Sequence, residues 1–132
     1  MRTLIVEDTL INQEFLKMIM EEKGECVVAE TGEEGIEAIS RAMDDSAPFD
    51  LIFMDIMLPG MDGLQALEHI RALEAKRGIT PGNETKAIIT TALDDDAKAS
   101  RAYIHGQAIS YITKPIRQES IEDELKKFGL IE

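Results

Sequence analysis

A single α/β domain built on a doubly wound parallel sheet is what this sequence predicts, on three observations. Short apolar runs alternate with longer amphipathic ones five times along the 132 residues. The run Leu51–Met54 has no polar residue to interrupt it, the mark of a strand covered on both faces. Polar and charged side chains stand directly after these runs: Glu7 and Asp8, Asp55, Thr91 and Lys114. The carboxyl ends of strands are where open α/β sheets hold their ligands.

Each element follows from local pattern. Thr3–Val6 reads as the first strand, ending in the acidic pair Glu7–Asp8. A helix follows with Ile11, Phe15, Met18 and Ile19 on its expected buried face, and Gly24 stops it. Val27–Glu30 is a short second strand, and Thr31 is placed to cap a helix whose apolar face is Ile36, Ile39 and Met43. The polar turn Asp44–Pro48 leads into the third strand, which delivers Asp55. Pro59, Gly60 and Gly63 break the chain before a third helix marked by Leu67, Ile70 and Leu73. Lys76–Lys86 is the longest irregular stretch and reads as a solvated connection.

The rhythm then repeats. Ala87–Thr90 is a fourth strand, and Asp94–Asp96 suit the start of a fourth helix carrying Ala99, Ala102 and Tyr103. Ile109–Thr113 is the fifth strand, leading to Lys114–Pro115, and Ile121, Leu125 and Phe128 give the closing helix its buried face. Five strand–helix pairs, (βα)5, imply a parallel sheet between two helical layers, a three-layer α/β/α sandwich. Right-handed crossovers make the doubly wound topology the economical one.

Composition narrows the function. A net charge of −12 argues against direct nucleic-acid binding, since nothing balances repulsion from the phosphate backbone. No run is long enough for a membrane span, and residues 2–6 are too short for the apolar core of a signal peptide. The single cysteine, Cys26, makes no internal disulfide and reads as a small, partly buried core residue, which fits a cytoplasmic protein.

If the first and third strands are neighbours, the carboxylates of Glu7, Asp8 and Asp55 converge at one edge of the sheet. Three such charges repel, so some must protonate or a cation must bind. Oxygen donors without histidine or cysteine suit a hard ion, Mg²⁺ by preference and Mn²⁺ as a substitute. With Mg²⁺ and Lys114 the site reaches neutrality, leaving metal, ammonium and the Thr91 hydroxyl to clamp a phosphoryl group. Asp55 then becomes the nucleophile and an acyl phosphate its product. Taken singly, Asp55 is an ordinary cap, Thr91 a strand-end hydroxyl and Lys114–Pro115 a strand terminator. Their joint occurrence at four strand ends favours chemistry.

These residues carry a resemblance. Val6–Asp8 (VED), Met54–Gly63 (MDIMLPGMDG), Thr90–Ala92 (TTA) and Tyr111–Pro115 (YITKP) resemble, in order and near the expected spacing, the receiver domain of two-component response regulators. The likeness covers essentially the whole chain and is nearest the single-domain, chemotaxis-regulator type. It implies a flavodoxin-like fold with strand order 2-1-3-4-5. It implies that Asp55 accepts a phosphoryl group from a sensor histidine kinase or a histidine phosphotransfer protein. Glu7, Asp8, Asp55 and the backbone carbonyl of Met57 would bind Mg²⁺, and Thr91 and Lys114 would hold the phosphoryl oxygens. Thr91 and Tyr111 would form the switch, and the Lys114–Pro115 bond would be cis.

Other expectations follow. The Thr91 to Lys114 interval is one residue longer than usual in the family, within Gln107–Ser110, and Ile116 replaces a common phenylalanine. Met57 and Leu93, each two residues beyond a site residue, are apolar and poor at orienting water, which predicts a long-lived phosphorylated form. The chain is expected to be one receiver domain, 1–132, without an output domain, acting as a monomer or weak dimer. Its fourth helix, fifth strand and last helix would meet a downstream protein, with Asp94–Asp96, Arg101, Arg117 and Lys126 as exposed candidates. His69 and His105 read as surface residues. The protein is expected to modify only itself and not to turn over substrate. Two other classes compete: a receiver-like adaptor that works without phosphorylation, and a Mg²⁺-dependent phosphate-ester hydrolase.

Overall fold

The structure, a computed structural model, describes residues 1–92 and 108–132. The elements in chain order are β1 (Thr3–Val6), α1 (Leu10–Glu21), β2 (Cys26–Ala29), α2 (Gly32–Asp44), β3 (Leu51–Asp55), α3 (Gly63–Lys76), β4 (Lys86–Thr91), β5 (Ser110–Thr113) and α4 (Gln118–Lys127). The helix expected after Asp94–Asp96 lies outside the described residues, as do Leu93, Arg101 and His105. The five strands are parallel in the order β2-β1-β3-β4-β5, so the flavodoxin-like topology expected from the resemblance holds. The chain crosses from one side of β1 to the other between β2 and β3, which opens the switch-point crevice at the carboxyl ends of β1 and β3.

Strand alternation splits the core in two. Leu4, Val6, Ile52, Met54, Ala87 and Ile89 point toward α2 and α3, where Ile39, Ala42, Leu67 and Ile70 cover them. Ile5, Leu51, Phe53, Ile88 and Ile112 point the other way, onto Leu16, Ile19 and Met20 of α1 and Ile121 and Leu125 of α4. Each fully buried side chain of this size contributes about 1.5–3 kcal/mol through the area it removes from water.

The register sets up the site. Val6 pairs with Met54 across β1 and β3, Asp55 with Thr90 across β3 and β4, and Thr91 with Thr113 across β4 and β5. The strand ends therefore finish nearly level.

Helix α1 departs from expectation. Ile11 and Met18, placed on the buried face by their spacing, are 79% and 60% exposed, and Phe15 is only half-buried. The face toward the sheet is Gln13, Leu16, Ile19 and Met20. Apolar residues lie on both sides of this helix, so periodicity alone admits either face. The inward one includes Gln13, whose amide finds a backbone acceptor there.

Smaller differences are at element ends. β2 begins at Cys26, which is half-buried as expected, β4 takes in Lys86 and Thr91, and β5 begins at Ser110. Phe128 is the C-terminal cap of α4 and only half-buried. The Thr31 hydroxyl accepts from the Glu34 N–H at 3.1 Å, the cap the sequence suggests. α3 starts with a capping box unforeseen in the sequence: the Gln65 N–H donates to the Asp62 carboxylate at 2.8 Å, and the Asp62 N–H to the Gln65 side chain at 3.1 Å.

The Lys76–Lys86 connection is tied down rather than simply solvated. Glu74, buried on α3, accepts from the Thr85 N–H at 2.8 Å and pairs with Arg71 at 2.7 Å.

Candidate functional site at the carboxyl edge of the sheet

Four strand ends build the site. Glu7 and Asp8 leave β1, Asp55 is the last residue of β3, Thr91 is the last of β4, and Lys114 follows β5. Because β1 and β3 are paired, Glu7, Asp8 and Asp55 bring carboxylate oxygens within 4.8 Å of one another. Glu7 and Asp55 are 1% and 2% exposed, whereas Asp8 faces solvent.

Lys114 bridges the two buried acids. Its ammonium donates to Asp55 Oδ2 at 3.0 Å and to Glu7 Oε1 at 3.2 Å. The Lys114 N–H donates to the Thr91 carbonyl at 2.6 Å, which fixes the lysine beside β4. Asp55 Oδ1 accepts from the Met57 N–H at 3.1 Å, and Glu7 Oε2 from the Asp8 N–H at 3.0 Å. The buried Thr91 hydroxyl donates to the Ala92 carbonyl at 3.2 Å. The Lys114–Pro115 bond is cis, as expected.

The electrostatics are those of a site with excess negative charge, three carboxylates facing one ammonium. Burial, and then the hydrogen bond and repulsion from Glu7, push the Asp55 carboxyl up to about 7 against an opposing pull from Lys114. Glu7 goes the other way. Burial raises it, but the hydrogen bond to Asp55, the Lys114 charge and a bond to Asn12 together hold it below its ordinary value. Burial works against the Lys114 ammonium, yet Asp55 and Glu7 more than offset this and raise it, so the lysine stays charged. Near neutral pH the pair of buried acids thus retains part of a proton that a divalent cation would displace. Oxygen-only donors, close together, one exposed and two buried, fit a hard divalent ion.

The structure therefore gathers Glu7, Asp8, Asp55, Thr91 and Lys114 at one edge. Met57 stands at its rim with an exposed side chain. Tyr111 is not gathered in: on β5 it is 49% exposed. His69 is exposed on α3, in line with a surface role.

Two supporting residues were missed in the sequence. Gln13 is buried and donates its side-chain amide to the Glu7 carbonyl at 2.7 Å. The signal for it was a glutamine one turn into the helix that follows the acidic pair. Gly63 opens α3 so close to β3 that a Cβ there would lie 2.0 Å from the Asp55 carbonyl oxygen. Its signal was a glycine at a helix start, hidden among the other loop-breaking residues of that stretch.

Comparison with known proteins gives the same picture. Residues 3–126 match the model of the response regulator receiver domain. The chain is 32% identical over 127 residues to the sensor protein GacS of Pseudomonas syringae pv. syringae, covering 96% of this chain but only 13% of that much longer protein. It is 32% identical over 129 residues to a two-component response regulator of Oryza sativa subsp. japonica, covering 98% of this chain and 94% of that one. A solved structure with a TM-score of 0.81 and 26% identity is the receiver domain of a Saccharomyces cerevisiae response regulator, crystallised with a histidine phosphotransfer signalling protein. The match covers 98% of this chain and 89% of that one. Fold, site chemistry and sequence thus converge, and the chain belongs to the response regulator receiver domain family.

Proposed function

We propose that this chain is a phosphoacceptor in two-component signalling, with Asp55 as the residue that carries the phosphoryl group. The observation that bears most weight is the buried Asp55 carboxylate, held by the Lys114 ammonium at 3.0 Å beside two further acids. An Asp55 oxygen attacks the phosphorus of a phosphohistidine on a sensor kinase or a histidine phosphotransfer protein. The P–N bond breaks, the new P–O bond makes an acyl phosphate, and the imidazole leaves neutral after taking a proton.

Glu7, Asp8, Asp55 and the Met57 carbonyl would hold Mg²⁺, with Mn²⁺ as a substitute, and the ion supplies neutralisation of the phosphoryl oxygens. Lys114 is placed to follow those oxygens, since its ammonium already rests on the acceptor. The Thr91 hydroxyl, which donates to the neighbouring Ala92 carbonyl, turns to meet them, and Tyr111 moves into the space behind it. The exposed residues Tyr111, Arg117 and Lys126 on β5 and α4 then present an altered surface to a downstream protein. The phosphotransfer protein bound to the yeast neighbour supports this class of partner. The exposed, apolar Met57 supports a slow loss of phosphate, because it offers no polar atom to orient water.

The test is incubation with acetyl phosphate and Mg²⁺, read by intact mass. One phosphoryl group per chain is expected, abolished by Asp55→Asn and by chelation of the metal. Labelling that survives Asp55→Asn overturns the assignment, and continuous release of phosphate by the unmodified protein would favour a hydrolase.

A further inference from the structure

We propose that Gln13 is a positioning residue for the divalent-cation site. Its amide locks the Glu7–Asp8 peptide and so sets where the Asp8 carboxylate stands relative to Asp55. The inference rests on the cation reading given above.

The peptide unit joining Glu7 to Asp8 is held at both ends. Its carbonyl accepts from Gln13 Nε2 at 2.7 Å, and its N–H donates to Glu7 Oε2 at 3.0 Å. Rotation of that plane would swing Asp8 away from the other two acids. Packing does not prevent such a rotation, because Asp8 is exposed.

Gln13 is well placed to prevent it. Helical side chains lean toward the N-terminus, so a residue near the start of α1 reaches back past the cap to the end of β1. The cap residue Thr9 makes no side-chain capping hydrogen bond, and while Asn12 of α1 bonds the Glu7 side chain, it is the Gln13 amide that holds the Glu7 carbonyl. Gln13 is 7% exposed and shares the buried face of α1 with Leu16, Ile19 and Met20, where a leucine or methionine would pack as well. What an apolar side chain could not supply is the donor to Glu7. Residues one step behind metal ligands act by this kind of orientation.

The experiment measures Mg²⁺ binding to the intact chain by calorimetry, alongside urea unfolding in chelator, for wild type, Gln13→Met, Gln13→Glu and Ile19→Val. Gln13→Met keeps the length and removes the donor. Gln13→Glu keeps the shape and turns a donor into an acceptor, so it serves should the methionine variant not fold. Ile19→Val loosens the same buried face without touching the peptide. Both Gln13 variants are expected to weaken Mg²⁺ binding about ten- to a hundredfold, with Ile19→Val within twofold of wild type. Affinity within twofold in the Gln13 variants, or an equal loss in Ile19→Val, overturns the positioning role while leaving the cation site intact. Wild type that binds no Mg²⁺ overturns the cation reading and this inference with it.

Discussion

Replacing Asp55 by asparagine stabilises the metal-free protein, and the gain grows with pH. The folded protein holds the Asp55 carboxyl at about 7 against an ordinary value of 3.8, chiefly through burial and then through Glu7. At about 1.4 kcal/mol per tenfold change in equilibrium, the difference amounts to about 4 kcal/mol. A carboxyl raised on folding favours the folded state only while protonated there. Its contribution is complete below 3.8 and is lost as pH rises through about 7. At pH 5.5 the unfolded chain has already released this proton, and the folded chain releases it only as pH passes about 7, so wild type loses about 2 kcal/mol between pH 5.5 and 8.5 through Asp55. Asp55→Asn has no such proton to lose. Glu7, held below its ordinary value of 4.5, acts in the opposite sense and only at lower pH, outside the window. The assay is urea unfolding followed by far-UV circular dichroism at pH 5.5, 7 and 8.5 in chelator. The variant should gain about 2 kcal/mol on wild type across the series, and Mg²⁺ should recover much of the difference by stabilising wild type. The repulsion from the net charge of −12 is nearly common to both proteins and drops out of the comparison. Parallel curves for the two proteins between pH 5.5 and 8.5 would refute the reasoning.

Four further substitutions have outcomes set by the geometry. Lys114→Met leaves Glu7 and Asp55 without their shared cation, so the metal-free protein should lose about 1–3 kcal/mol above pH 7. The same variant should bind Mg²⁺ several-fold more tightly by calorimetry, because the ammonium no longer competes, while phosphoryl acceptance falls. Gly63→Ala would set a Cβ 2.0 Å from the Asp55 carbonyl oxygen, and displacing α3 to avoid it should cost about 2–4 kcal/mol in urea unfolding. Gly60→Ala, at φ +73° with open space around it, should cost only about 1 kcal/mol. Glu74→Leu removes the acceptor of the Thr85 N–H and should cost about 1–3 kcal/mol, with faster proteolysis between residues 77 and 85.

The alternation of apolar runs carried the fold because a parallel sheet covered on both sides leaves strands such as Leu51–Met54 without polar interruption. The site was legible for a related reason: its chemistry is concentrated at strand ends, where a charged residue stands out against the run before it. The sequence found α1 and the buried Ile19 but was mute about the rest of its inward face, since Ile11, Phe15 and Met18 compete with Leu16 and Met20 for the sheet and the outcome depends on a tertiary contact of Gln13. It was equally mute about Glu74, whose partner Thr85 lies across a connection with no pattern of its own. The uneven shifts of Glu7 and Asp55 needed distances, because two acids in one sheet differ only through what surrounds them.

The division of the interior into two cores has a consequence for how changes combine. Ile70 of α3 and Ile19 of α1 are both buried and belong to different clusters on opposite faces of one sheet. Among the described residues the two clusters have no member in common, so substitutions on opposite faces should add in free energy to within about 0.5 kcal/mol. Substitutions within one face should not. The layer beneath α2 and α3 can therefore be redrawn while the layer beneath α1 and α4 is left alone. Asp55 and its neighbours sit where the two layers meet, and a change that reached both at once would have to pass through the strands that carry them.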